Sequence, residues 1–209
     1  MQLVWILGDQ LIPRHPLLEA PADGLRVGLI EAAPRARLVR YHQLKLTLLY
    51  AAMRHHAAAL RRQGFAVLYH HLEDSPEGAD FEVVLRSWIR EYRLRRIDLL
   101  EPNDFDSQQA MEDLGRRLGI PLALHPSPQF LLPRADFAAW AQGRKRLLME
   151  THYRRLRQRH GLLMTADGEP EGEQWNFDAE NRRTAREFQR ERPVVPPLPP
   201  RQADPVVET

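Results

Sequence analysis

The sequence predicts a doubly wound (Rossmann-like) α/β domain, built on a five-stranded parallel sheet with helices on both faces and followed by a helical and loop extension. Three observations predict it. Short, continuously apolar runs recur along the first 126 residues and stop at Gly, Asp, Glu or His, as strands buried on both faces do. Between the later runs lie longer stretches with apolar residues three and four apart, the pattern of helices packed on a sheet. The 209 residues, 43% of them hydrophobic, are enough to bury one such core.

The elements follow in order. Leu3 to Leu7 predicts the first strand, stopped by Gly8-Asp9. It has no basic flank and no cleavage site, so it reads as a strand and not as a signal peptide. Arg26 to Ile30 predicts the second strand, ending at Glu31. His42 to Arg62 predicts a long helix whose Leu46, Leu49, Met53, Ala57 and Leu60 form one stripe for the sheet, with Gly64 ending it. Phe65 to Tyr69 predicts the third strand. Asp80 to Tyr92 predicts a helix with Phe81, Val84, Leu85, Trp88 and Ile89 on one side. Arg96 to Leu100 predicts a strand ending in Glu101-Pro102, Asp106 to Leu118 a helix closed by Gly119, and Pro121 to Leu124 a short fifth strand. Strand and helix alternate, so right-handed crossovers and a parallel sheet are expected.

After Pro126 the period changes. Phe137 to Trp140 and Leu147 to Arg159 read as helices with no strand between them, and Thr165 to Gln174 as a loop. Pro193 to Thr209 holds six prolines and reads as an extended linker or frayed end; its PxxP spacing suits a bare linker better than a ligand. The expected organisation is 1–126 as the sheet domain, 127–192 as a helical extension with a loop between domains, and 193–209 as the linker.

Composition narrows the function. Net charge is +2, so the molecule is no polycation, and all but two of the thirty basic residues (Lys45 and Lys145) are arginines. One stretch is locally basic: Arg144 to His160 carries seven Arg or Lys against a single acid, Glu150. With no cysteine there is no disulfide, no zinc–cysteine site, no cysteine nucleophile and no iron–sulfur cluster held by this chain, which suits a cytoplasmic protein. No apolar run reaches bilayer length, so no membrane partner is expected. Neither phosphate-loop signature follows a strand, there is no G-x-S-x-G, and the pairs His55-His56 and His70-His71 diverge on helix and strand, which argues against nucleotide, hydrolase and metal sites.

Ligands of open parallel sheets bind at the carboxyl ends of the strands. There the chain places Gly8-Asp9-Gln10, Glu31, His70-His71 and Glu101-Pro102. Gly8 lets backbone approach a ligand; Asp9, Gln10, Glu31 and Glu101 offer acceptors for a ribityl chain or a heterocycle edge. Each singly reads as a helix cap, whereas the group reads as a small-molecule pocket. Lys45, at the front of the long helix, could balance Glu31 or hold a polar ligand, or lie in solvent. In the basic stretch Arg144, Lys145, Arg146, Arg154 and Arg157 could line a face for phosphates, with Tyr153, Trp175 and Phe177 as stacking surfaces. Spacing alone favours a solvated face or a dock for a neighbouring domain.

A series of motifs then points to a family. They are Leu7-Gly8-Asp9-Gln10-Leu11, Ala52-Met53-Arg54-His55, Trp140-Ala141-Gln142-Gly143-Arg144-Lys145, Met149-Glu150, Gly161-Leu162-Leu163-Met164 and Trp175 through Arg182. In order and spacing the chain resembles the photolyase-related, iron–sulfur bacterial branch of the photolyase/cryptochrome superfamily, over its N-terminal α/β domain. The resemblance implies an antenna pocket for a ribityllumazine or flavin at Gly8, Asp9, Gln10, Glu31, Lys45 and Leu49. It implies that the loop ending in Asn181-Arg182 lies between domains, near flavin and lesion. Arg35 and Leu38 depart from the carboxylate and aromatic or valine expected there, and Tyr41-His42 from a His-His pair. In the full-length family a C-terminal helical domain carries FAD and a 4Fe–4S cluster, and reduced FAD donates an electron to a flipped-out dimer in damaged DNA. Such a domain would begin near Thr209. The expectation is therefore the front domain of a DNA-repair or photoreceptor flavoprotein without catalysis of its own, or else a free-standing chromophore module or a remnant without ligand.

Overall fold

A computed structural model describes residues 1–32, 37, 39–74, 79–177, 184, 186, 194, 196–197 and 203–208. Two compact units divide the chain: residues 1–134 with 203–209, and residues 135–202.

The first unit is a five-stranded sheet of β1 (Gln2–Trp5), β2 (Leu25–Ile30), β3 (Val67–His70), β4 (Arg96–Leu100) and β5 (Leu122–His125). Every pairing is parallel and the order is β3-β2-β1-β4-β5. The doubly wound α/β class is thus as the sequence predicts. The chain runs outward from β1 in one direction, then returns to start β4 on the other side, which opens a crevice at the carboxyl ends of β1 and β4.

Both faces of β1 are buried. Leu3 and Trp5 pack with Val84, Leu85 and Trp88 of α2 (Phe81–Tyr92) and with Met111, Leu114 and Leu118 of α3 (Phe105–Leu118). Val4 and Ile6 pack on the other face with Met53, Ala57 and Leu60 of α1 (Gln43–Arg62). Alternation with both sets apolar is why the run reads as continuous in the sequence.

The helix starts are set by side-chain caps. His42 Nδ1 accepts from the Leu44 N–H, Asp80 from Val83, and Asp104 from Ser107. Gly64 and Gly119, at φ of +91° and +76°, take the left-handed conformation past the ends of α1 and α3.

Two expectations need correction. Alternation of strand and helix fails at the first crossover, where residues 6–24 form turns without a helix. Pro13, Pro16 and Pro21 cannot donate to a helical ladder; short turns such as Leu18 N–H to His15 O carry the chain instead. The stripe on α1 also divides: Met53, Ala57 and Leu60 are buried in the core, while Leu46 and Leu49, one to two turns nearer its start, line a cavity.

Among the last residues, Asp204 accepts from the Val206 N–H and pairs with His55 of α1 at 3.0 Å, beside a short helix, Pro205–Glu208. The second unit holds most of α4 (Arg134–Ala141), all of α5 (Met149–His160) and a turn closed by an antiparallel bridge between Met164 and Pro170. Its small core is aromatic: Trp140 and His152 stack at 4.2 Å, with Phe137 5.5 and 5.4 Å away.

Candidate functional site

The crevice at the strand ends holds a cavity of about 400 Å³. Its floor is the end of β1 and the turn after it, Trp5 to Asp9, with Ile30 at the end of β2 and Ala32 just past it. One wall is α1, through Leu46, Leu49 and Met53; the opposite wall is Phe81, Pro102 and Met111. Trp5 and Phe81 meet edge to face, with centroids 4.9 Å apart. The polar lining comes from Asp9, Asp104 and Ser107, and from Tyr41, Lys45 and Tyr50 around the start of α1.

A residue other than glycine would crowd position 8. A Cβ there would come within 3.0 Å of Met53 Sδ and 3.2 Å of Leu49 Cδ1, the two side chains by which α1 closes on the floor. Size, apolar walls and a set of polar groups fit a flat heterocycle with a hydrophilic tail. Among the described residues no histidine or cysteine lines the cavity, so these offer no nucleophile–base pair of the Ser–His or Cys–His kind. Such an arrangement can enclose and orient a ligand.

Four of the residues expected at the pocket, Gly8, Asp9, Lys45 and Leu49, lie on this cavity. Asp9 is held at the rim: its Oδ2 accepts from Asn103 Nδ2 at 3.0 Å and its carbonyl from Gln129 Nε2 at 2.6 Å. Lys45 lies over the Tyr41 ring, 4.2 Å from its centre.

Gln10, Glu31 and Glu101 are placed elsewhere. Gln10 is fully buried and donates to the carbonyls of Leu100 and Glu101, stitching the turn after β1 to the end of β4. Glu101 lies 3.9 Å from Arg134, which also donates to the Pro102 carbonyl. None of the strand-end acceptors caps α1, α2 or α3, a task that falls to His42, Asp80 and Asp104.

The expected balance of Glu31 by Lys45 is not made. The Glu31 carboxylate accepts from Arg54 Nε and Nη2 at 2.8 and 2.9 Å, from Tyr69 Oη at 2.5 Å and from the Leu72 N–H at 2.9 Å. Burial alone would raise this carboxyl, but the Arg54, Tyr69 and Leu72 hydrogen bonds prevail and hold it below its ordinary range. Burial first, and then the bond to Glu31, pushes the Tyr69 hydroxyl far up. Ligand atoms of Glu31, His71 and Glu73 lie within 4.8 Å of one another, as a metal site would need. Arg54 already supplies the cation, bridging Glu31 and, at 3.2 Å, Glu73.

The basic stretch separates by helix face. Arg157 is buried and donates to the carbonyls of Leu162 and Leu163, acceptors that a stretch read without its C-terminal turn hides. Arg154 pairs with Glu150 at 2.8 Å. The guanidinium carbons of both lie over half-buried Trp175, 5.3 and 5.4 Å from its centre. Arg144 donates to the Trp140 carbonyl and stacks on its ring, and Lys145 is exposed. Asn181, Arg182, Arg35 and Leu38 lie outside the described residues.

Sequence reasoning missed Arg54, Phe81, Asp104, Ser107 and Met111. Arg54 had a signal, since it sits in the Ala52–His55 motif. The other four lie at or within the first two turns of α2 and α3, which only the strand order brings to β1.

The five parallel strands in the order β3-β2-β1-β4-β5, with a crevice at the switch point, define a doubly wound α/β domain. Residues 4–208 match the family model described as deoxyribodipyrimidine photo-lyase-related protein, and the chain belongs to that family. It is 36% identical over 190 residues to a (6-4) photolyase of Agrobacterium fabrum (strain C58 / ATCC 33970), covering 88% of this chain and 36% of that protein. It is 24% identical over 152 residues to an uncharacterized protein of Acanthamoeba polyphaga mimivirus, covering 71% of this chain and 74% of that protein. The chain thus spans about a third of the length of the bacterial photolyase. No helix among the described residues is long and apolar enough to cross a membrane.

Proposed function

We propose that this chain is the antenna-type domain of a photolyase-related flavoprotein acting on damaged DNA, and that its crevice holds a ribityllumazine or flavin. The observation that carries the reading is the 400 Å³ cavity at the ends of β1 and β4, with apolar walls and polar groups in its lining. In this reading Leu49, Met53, Phe81 and Met111 enclose the ring system and exclude water. Asp9, Asp104 and Ser107 meet the hydroxyls of a ribityl tail, and Lys45 a ring carbonyl. Such a chromophore supplies near-ultraviolet to blue absorption to a flavin partner. Redox chemistry belongs to FAD and the 4Fe–4S cluster of a helical C-terminal partner domain; this chain has no cysteine to ligate the cluster, and none of its residues is assigned a catalytic role.

The test is colour. The purified chain is expected to carry or take up a lumazine or flavin absorbing in that range, and Leu49→Trp, which fills the cavity, to lose it while melting as the parent does. A parent chain that binds neither compound, or a filled variant that binds as well, refutes the reading.

A second reading, a free-standing chromophore module, draws support from the mimivirus protein, most of whose length is matched by this chain. The intact mass in native cells separates the two: well above 24.3 kDa for a domain of a larger flavoprotein, near it for a module.

A further inference from the structure

The basic stretch contains a site that the motif pattern did not separate. On α5, residues 155 and 159 are four apart and share a face, whereas 154 and 157 share another, more than a quarter-turn away. The second face is spent within the unit on Glu150, Trp175 and the Leu162 and Leu163 carbonyls. The first looks onto an open recess of about 610 Å³, which Arg155 and Arg159 line together with Arg144.

The recess is unequally charged. One carboxylate, Asp136, stands against three guanidiniums, and Arg159 holds it at 2.8 Å. Arg144, exposed on the recess, is fixed by its Nε bond to the Trp140 carbonyl at 2.7 Å and by its place over that ring, 4.9 Å from the centre. Arg155 is exposed and has no hydrogen-bond or ion-pair partner among the described residues. Its order comes at an entropic cost that an incoming anion would repay.

We propose that Arg144, Arg155 and Arg159 form a binding site for the phosphates of a nucleic-acid strand. Guanidiniums are planar forks matched to phosphate oxygens, and an arginine held by stacking loses little freedom on binding. The polymer is favoured over a small anion by the shape of the site. All three arginines are exposed, so the recess cannot enclose one phosphate and exclude water; exposed Lys145, Arg146 and His160 continue the cationic track beyond it, suiting a chain of phosphates. This deepens the DNA partnership proposed above, yet stands in a different unit from the cavity, so each can fail without the other.

The experiment is fluorescence anisotropy of a short labelled single-stranded oligonucleotide with the 209-residue chain over a salt series. Binding at low salt is expected, with Arg155→Ala weakening it several-fold and reducing the slope of log K against log salt by about 0.7, and Arg155→Ala/Arg159→Ala by about 1.4. Arg154→Ala, on the spent face, is expected to leave the slope nearly unchanged. Arg155→Glu, which reverses an unpartnered surface charge, should abolish binding while the thermal melt and any chromophore absorption stay as in the parent. Failure of the parent chain to bind at low salt overturns the proposal, as does an unchanged slope in Arg155→Ala. Displacement of the oligonucleotide by inorganic phosphate at equal phosphate concentration would make this a small-anion site and overturn it too.

Discussion

Replacing Arg54 by methionine tests the most demanding electrostatic element of the fold. Glu31 has no exposed side-chain surface, and Arg54, about a quarter exposed, is its only cation among the described residues. The variant leaves a buried carboxylate with two neutral donors, Tyr69 and the Leu72 N–H. Stranding one partner of a buried pair costs about 3–5 kcal/mol, and the partial exposure of Arg54 places this case near about 3 kcal/mol. For a chain of this length that is a fall of roughly 6–12 °C in Tm. The pH dependence has a definite sign. In the parent the folded carboxyl lies below its ordinary range, so its stabilisation is present above that range and is lost as pH falls through the folded value. In the variant the carboxyl shifts upward, the folded state takes up its proton more readily, and the penalty eases as pH falls. Urea unfolding should therefore show a gap between parent and variant that is wide at neutral pH and narrows toward about pH 4. Adding Glu31→Gln to Arg54→Met should recover much of the loss at neutral pH, because the amide oxygen still accepts from Tyr69 without carrying charge. A gap under about 1 kcal/mol at neutral pH, or one that does not change with pH, refutes this reasoning.

Two more perturbations probe the core around the crevice. Burial, and secondarily the nearby His56, lowers His15 to about 4, so it stays neutral in the folded chain while the unfolded chain takes up a proton below about 6.5. Stability should fall by up to about 3 kcal/mol as pH drops across that window, and His15→Asn, which keeps an acceptor near the Leu17 N–H, should flatten the fall; equal acid sensitivity of the two chains in urea titrations would rule this out. At Gly28 in β2 a Cβ would lie 2.8 Å from Trp88 Cζ3 and 3.1 Å from Leu3 Cδ1, both in the core. Gly28→Ala should cost about 1–3 kcal/mol by overpacking, measured by urea midpoint, and a neutral result would mean that Trp88 is free to move.

Much of the fold was legible because its signals are local. Arg96 to Leu100 reads as a strand and forms one, and Phe81, Val84, Leu85 and Trp88 recur at helical spacing and do pack on the sheet. Boundaries slipped where cooperation between strands decides them: β1 pairs as far as Trp5, and Leu7, though apolar, lines the cavity. On the cavity, Gly8, Asp9 and Lys45 were legible from the turn after β1 and the front of α1, and Leu49 through the family resemblance. Glu31 is met by Arg54 and not by Lys45, because the sequence shows an acid at a strand end but not which cation will reach it.

The sequence by itself determined the class: alternating burial of short apolar runs, helical stripes between the later ones, a cysteine-free composition, and a motif series that fixed the family. These are properties of a residue and its near neighbours, set by backbone period and side-chain type. Only the tertiary structure decided which residues share a site. Starting β4 beside β1 brings Phe81, Asp104 and Met111 to the crevice, and the turn of α5 sends Arg157 inward and Arg155 outward. Such groupings depend on crossovers and helix phase, and the energy that selects them is long-range packing, which no short stretch of sequence carries.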